Sequence, residues 1–330
     1  MGLRRARPDA RLVLAGPPGP GALLHRRGVV DAVLPVEGVR SLAEDAVVSA
    51  LAAHPGALAP GRCVDLAVNL HGAGPQSVRA LRAVLHERGA AKAALLAHRC
   101  AAAGLADGPP WEQDVHEVDR WSRLVAAVGG ASRAEDLVLP PAPGGHGPAA
   151  AAPGPSAPLV LHPGAASGAR RWPVERWAEV AAAVLAEGDD VVLTGGPGES
   201  DLTTRVTAAV RDRGAGGVAG HGRLVDLAGR CDLEQLAAVV AAARALVCGD
   251  TGVAHLATAL RTPSVLLFGP VSPRSWGPAV DVDLHPVLWP APTAGYRGDP
   301  HGDAVDPVLA RTTSADVLAA LGALAPRPGR

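Results

Sequence analysis

Short apolar runs alternate along the chain with longer stretches in which apolar positions recur every three or four residues. The first kind predicts buried strands and the second predicts amphipathic helices. In the first half, "RLVLAG" (11–16), "CVDLAVNL" (63–70) and "AALLA" (93–97) are expected as strands. Helices are expected at 40–54, 75–89 and 116–130. The segment "LPPAPGGHGPAAAAPGPSAP" (139–158) is almost entirely Pro, Gly, Ala and Ser. Such a composition has too little apolar bulk to build a core, so 139–157 reads as a linker. Beyond it the alternation resumes, with strands at 158–164, 190–196, 224–229, 246–249 and 264–269. Helices are expected between them at 173–188, 199–214, 232–245 and 253–260. In the first of these, Pro173 stands at an early position, and Val174, Trp177, Val180 and Val184 form one stripe. Apolar strands alternating with helices imply a parallel sheet covered on both faces. The expectation is therefore two Rossmann-like α/β domains, 1–138 and 158–330, with a cleft between them.

Composition narrows the range of partners. A chain of 330 residues has room for two ordinary domains, and 48% hydrophobic content excludes disorder. Aromatics are only 2%, which argues against a stacking platform for single-stranded nucleic acid. A formal charge of −1 supplies no basic field for a polyanion or an acidic membrane. No signal peptide or long apolar span is visible, and a cytoplasmic monomer is expected. Cys63, Cys100, Cys231 and Cys248 form no CxxC pair and lie at no zinc spacing, so they read as single thiols.

Ligands of open α/β sheets sit beyond the carboxyl ends of the strands. In the second half those ends are His162-Pro163-Gly164, Gly195 to Glu199, Ala228-Gly229 and Gly249-Asp250-Thr251-Gly252. Each carries glycine, which lets backbone approach a ligand, although tight turns alone would also use it. The last end leads into "VAHLATAL", a helix expected from about Val253. Free N–H groups there would suit phosphate, with His255 in the first turn. The plainer alternative is that Asp250 caps the helix and His255 is an ordinary surface residue. Neither a GxGxxG fingerprint nor a GxxxxGK[ST] loop occurs at the expected places, which disfavours a nicotinamide dehydrogenase and a nucleoside triphosphatase.

Three segments in order across 158–278 carry a resemblance. They are "LHPGAASGARRWPVERWAEVAAAV", "LTGGPGESD" and "DLAGRCDLEQLAAVVAAARALVCGDTGVAHLATALRTPSVLLFGPVSPRSWGP". Together they resemble glycosyltransferase family 9, the heptosyltransferase-like enzymes. "AVNLHGAGPQSVRALRA" (67–83) and "GYRGDPHG" (295–302) are similar to members of the same family. The resemblance implies a GT-B fold, a nucleotide-diphosphate sugar as donor (ADP-heptose-like or another), inversion at the anomeric carbon, and no metal or other cofactor. It implies a glycan acceptor, such as a cell-envelope glycan of lipopolysaccharide biosynthesis, met at the membrane periphery, or a small-molecule acceptor. Within it, Arg170 stands where a basic residue neutralises the departing diphosphate, with Arg171 beside it as a weaker candidate. Thr251 and Gly252 would offer N–H groups to phosphate and His255 a further hydrogen bond. Asp250 suits a sugar hydroxyl or the loop's own N–H groups, Glu199 the ribose hydroxyls, and His162 completes the donor-binding set. Asp299, His301, Asp303 and Asp306 could mimic a metal site but read as an exposed, turn-rich loop.

One departure concerns the general base. Family members begin with a strand, a Gly-rich turn and a helix running into the equivalent of "LRRARPDARLVLAG", whereas this sequence opens within that helix. The resemblance places the catalytic aspartate in the turn that is not present, so no residue is assigned as base. His71, on the acceptor side, and Asp114 lie in first-domain loops but read more simply as turn residues. The expectation is that this chain binds donor but transfers sugar poorly, and that its first domain is the less stable. A sequence extended upstream by about 20–30 residues, a strand, a turn and most of a helix, should recover transfer. Two other readings stand beside the transferase: a nucleotide-sugar-binding protein without activity, and a GT-B epimerase acting on a UDP-sugar.

Overall fold

The computed structural model describes residues 1–36, 53, 64–72, 74–87, 90, 92–142, 157–215, 217, 221–293 and 296–324. The expected helix at 40–54, Cys63 and most of the expected linker lie outside the described residues. The chain divides into one unit of residues 1–136 with 140–143 and another of 137–139 with 144–330.

The first unit runs α1 (Gly2–Ala6), β1 (Val13–Gly16), α2 (Pro18–Arg26), β2 (Ala32–Pro35), β3 (Leu66–Val68), α3 (Pro75–Glu87), β4 (Ala94–Leu96) and α4 (Glu117–Ala127). Its described strands form two parallel ladders, β1 with β2 and β3 with β4, in register Val13↔Ala32 and Leu66↔Ala94. Leu34, Val78, Ala97 and Leu124 are the most deeply buried apolar side chains among its described residues. Arg120 is buried as well, which a cation tolerates only when its donors are satisfied. Here they reach the Glu117 carboxylate and the carbonyls of Glu112 and Gln113. Its guanidinium also lies 4.3 Å over the Trp111 ring.

The second unit runs β5 (Leu159–His162), α5 (Val174–Ala186), β6 (Val191–Leu193), α6 (Ser200–Asp212), β7 (Leu224–Asp226), α7 (Leu233–Ala242), β8 (Ala245–Gly249), α8 (Gly252–Ala259), β9 (Ser264–Leu267), α9 (Pro273–Trp276), β10 (Val287–Leu288) and α10 (Ser314–Ala323). Its six strands are all parallel, in the order β10-β9-β8-β5-β6-β7. Counted within the unit from the other edge this is 3-2-1-4-5-6, the doubly wound order. Strands β5, β6, β8 and β9 are buried at every position, as their unbroken apolar runs require. The winding reverses between β5 and β8, so the carboxyl ends of these two strands bound the crevice where such sheets take ligands. Among the described residues no helix is long and apolar enough to cross a membrane.

At the opposite edge, Ser264 Oγ and His285 Nδ1 are hydrogen-bonded at 2.8 Å, and both residues are buried. The His285 Nε2 atom has no hydrogen-bond partner. Burial pushes this imidazole down to about 4, with Asp281 opposing. An unfolded histidine titrates near 6.5, so the folded state resists the proton that the unfolded chain accepts. Stability is therefore complete above about pH 6.5 and falls as pH drops through 4, by up to about 3 kcal/mol from this one group. Melting temperatures across pH 4–7 should show a shallower acid loss in His285→Gln than in the parent; parallel curves would refute the assignment.

Candidate donor site

The site starts from what β5 and β8 place side by side. His162 ends β5 opposite Cys248 of β8, and Asp250 follows one residue after that strand. His162 is buried, and its Nδ1 lies 3.0 Å from Thr194 Oγ1, at the end of β6. Its Nε2 is 3.9 Å from Glu199 Oε2. Burial holds the imidazole below its ordinary pKa against the pull of Glu199, which keeps it neutral at pH 7. Glu199 accepts a 2.7 Å hydrogen bond from the Gly196 amide, so the turn after β6 aims the carboxylate back toward β5. Gly164 makes this possible: a Cβ there would stand 2.1–2.2 Å from the Glu199 carboxyl atoms.

On the β8 side, Arg170 closes a single turn of 3-10 helix at Gly168–Arg170. Its Nη1 donates to the Asp250 carbonyl at 3.3 Å and lies 3.9 Å from Asp250 Oδ2, while its Nε is buried without a partner. Burial raises the Asp250 carboxyl above its ordinary pKa, and Arg170 and His255 draw it back. Asp250 is not the helix cap of the plainer reading. Thr251 is the N-cap of α8, without a side-chain capping bond, and the helix starts at Gly252. The first N–H groups of α8 thus keep the capacity to meet an anion. His255 lies on the first turn, exposed, with the Trp276 ring 6.1 Å away. Cys248 is buried directly behind, its thiol pushed well up by desolvation and hence inert.

Other sequence candidates separate from this cluster. Arg171 turns back to the Ala165 carbonyl at 2.9 Å and braces the 165–171 loop. The loop read as exposed is only partly so: Asp299, His301 and Asp303 are exposed, but Asp306 is buried. Its Oδ1 accepts from the Val308 amide at 2.8 Å and its Oδ2 from the Tyr296 hydroxyl, because the following turn needs an acceptor under it. Among the described residues no group of three or more His, Cys, Asp or Glu is placed to hold a metal ion. In the first unit His71 and Asp114 are exposed, as turn residues are. The His71 amide donates to Asn69 Oδ1 at 3.0 Å, and Ser77 Oγ donates to the His71 carbonyl at 3.0 Å. Buried Asn69 and Ser77, which fix that turn, lie within the 67–83 segment that resembles the family, but the resemblance singles out neither as a site residue.

The arrangement offers a cationic corner, Arg170 with the start of α8, beside two carboxylates at one strand switch. That combination suits an anion carrying hydroxyls. The glycosyltransferase family 9 (heptosyltransferase) model matches residues 110–287, more than half of the chain. Lipopolysaccharide heptosyltransferase 2 of Salmonella typhimurium (strain LT2) is 38% identical over 112 residues, which cover 34% of this chain and 30% of that protein. The matched stretch is thus under a third of the curated relative's length. The solved structure of E. coli ADP-heptose lps heptosyltransferase II shares the fold at a TM-score of 0.70 and 22% identity, covering 98% of this chain and 91% of that one. The E. coli heptosyltransferase WaaC with ADP does so at 0.66 and 19%, covering 97% and 92%. The folds being GT-B in common, and the family's sequence pattern running through both strand ends that build the site, the chain belongs to glycosyltransferase family 9.

Proposed function

We propose that the second unit binds the diphosphate of a nucleotide sugar and that the chain transfers the sugar to a glycan acceptor with inversion, without a metal ion. The observation that carries this reading is Arg170, held by Asp250 at the start of α8 with its Nε still unpartnered. In the reaction the acceptor hydroxyl gives its proton to a general base, which none of the donor-site residues supplies, and its oxygen bonds to the anomeric carbon as the carbon–oxygen bond to the diphosphate breaks. Negative charge collects on the leaving diphosphate, where fixed donors stabilise it most. Arg170 and the N–H groups of Thr251 and Gly252 supply those donors, His255 adds one, and Glu199 takes the ribose hydroxyls. His162 sets Glu199 from beneath. Relatives whose names specify ADP-heptose and lipopolysaccharide support an ADP-heptose-like donor and a cell-envelope acceptor.

Calorimetric titration with ADP, UDP and GDP tests the binding half, and addition of EDTA should leave the affinity unchanged. If none of the three binds, the reading fails. Incubation with ADP-heptose and a heptose-free lipopolysaccharide tests the transfer half, and donor binding without product would leave a binding protein. Gly164→Ala should push the Glu199 carboxylate off the Gly196 amide and weaken nucleotide binding about tenfold, the same loss expected of Glu199→Ala. Equal affinity in parent and Gly164→Ala would remove Glu199 from the site.

A further inference from the structure

We infer that residues 296–306 form a strap that positions Arg170, with Asp306 as its buckle; this rests on the donor-site reading above. The turn bearing Arg170 is not held by its own short 3-10 helix alone. Ala169, the residue before Arg170, uses both main-chain groups on the strap: its amide donates to the Gly302 carbonyl at 2.8 Å, and its carbonyl accepts from the Asp306 amide at 3.1 Å. Ser167 Oγ donates to the Pro300 carbonyl at 2.6 Å. Between them Gly168 lies so close that a Cβ would stand 1.7 Å from the Asp303 carbonyl oxygen. The strap is closed on itself by Asp306, buried, which accepts from the Tyr296 hydroxyl at one end and the Val308 amide at the other.

Arg170 is thereby fixed from two directions. Its main chain is set by the strap and its guanidinium by Asp250. A charged group whose own Nε is unpartnered has no third restraint, so loosening the main chain moves the charge. Asp306 and Tyr296 are spent on each other and on the Val308 amide rather than on the ligand. They are positioning residues, and their effect should pass through Arg170.

A double-mutant cycle reads that dependence. The probe is the nucleoside diphosphate that the parent binds best. Asp306→Ala should weaken its binding about tenfold and Tyr296→Phe a few-fold, with Asp306→Asn, which keeps the acceptor for Val308, in between. In an Arg170→Ala background the same changes should cost little further affinity, because the group they position is gone. Equal losses in both backgrounds, or none in the first, overturn the inference. Hydrogen exchange tests it without ligand, in Tyr296→Phe as the variant least prone to unfold. The Ala169 amide should exchange faster while those of β5 stay protected, and unchanged exchange at Ala169 also overturns it. A parent that binds no nucleoside diphosphate refutes the donor reading instead, and leaves the exchange result to decide whether the strap holds the turn.

Discussion

Arg170→Ala is expected to lower nucleoside-diphosphate affinity by roughly ten- to a hundredfold, the loss of one charge-assisted contact worth about 1.5–3 kcal/mol. Two effects add. The ligand loses its cation, and Asp250 loses the partner that draws its carboxyl back toward the ionised state. Left buried, that carboxyl should take up a proton more readily, so the variant's residual affinity should fall less at acid pH than at neutral. Arg170→Lys restores the charge but not the planar fork that spans Asp250 and a phosphate, and should recover only part of the loss. His255→Ala should cost less than Arg170→Ala, since His255 is exposed. Titration of the four proteins at two pH values decides the matter, and an unchanged alanine variant at position 170 would end the assignment.

Trp172→Ala should destabilise the second unit by about 3–5 kcal/mol, a large share of the 5–15 kcal/mol typical of a domain. Trp172 and Trp177 are both almost wholly buried and meet edge to face at 5.1 Å and 88°. The Trp172 indole N–H donates to the Thr312 carbonyl at 3.0 Å, tying the loop after β5 to the segment before α10. Trp172→Phe keeps most of the packing and loses the donor. The Thr312 carbonyl still accepts from Arg176, so the phenylalanine variant should lose only about 1–2 kcal/mol. Denaturant midpoints separate the two variants. Similar midpoints for alanine and phenylalanine would mean that the hydrogen bond, not the ring, carries the anchor.

The second unit was legible because four of its six strands, β5, β6, β8 and β9, are buried at every position. Runs such as Leu159–Leu161 and Leu246–Cys248 have no polar face to confuse the reading, and glycine marks their carboxyl ends. β10 escaped because a ladder of two residues leaves no period to read. In the first unit α2 and β2 escaped for a different reason. Pro18, Gly19, Pro20 and Gly21 look like a turn, yet proline is tolerated in the first turn of a helix, where its missing N–H would have no partner. Of the site, the residues offered by strand ends could be foreseen, but their pairings could not. Arg170 and Asp250 are 80 positions apart, and His162 and Thr194 are 32 apart. Only the register of the sheet makes them neighbours. Asp306 was misread because turn composition says where a chain bends, not which way its carboxylate points.

The strap also bears on where this fold can be cut. The family's sequence pattern stops at residue 287, and the strap begins at Tyr296. A recombinant fragment trimmed to the matched stretch would keep every donor-site residue assigned above. It would also strip Ala169 of both main-chain partners and expose the side of the turn that Asp303 covers. For biochemists choosing an expression boundary, the working limit of the donor half is therefore set by Asp306 and by the Thr312 carbonyl beyond it.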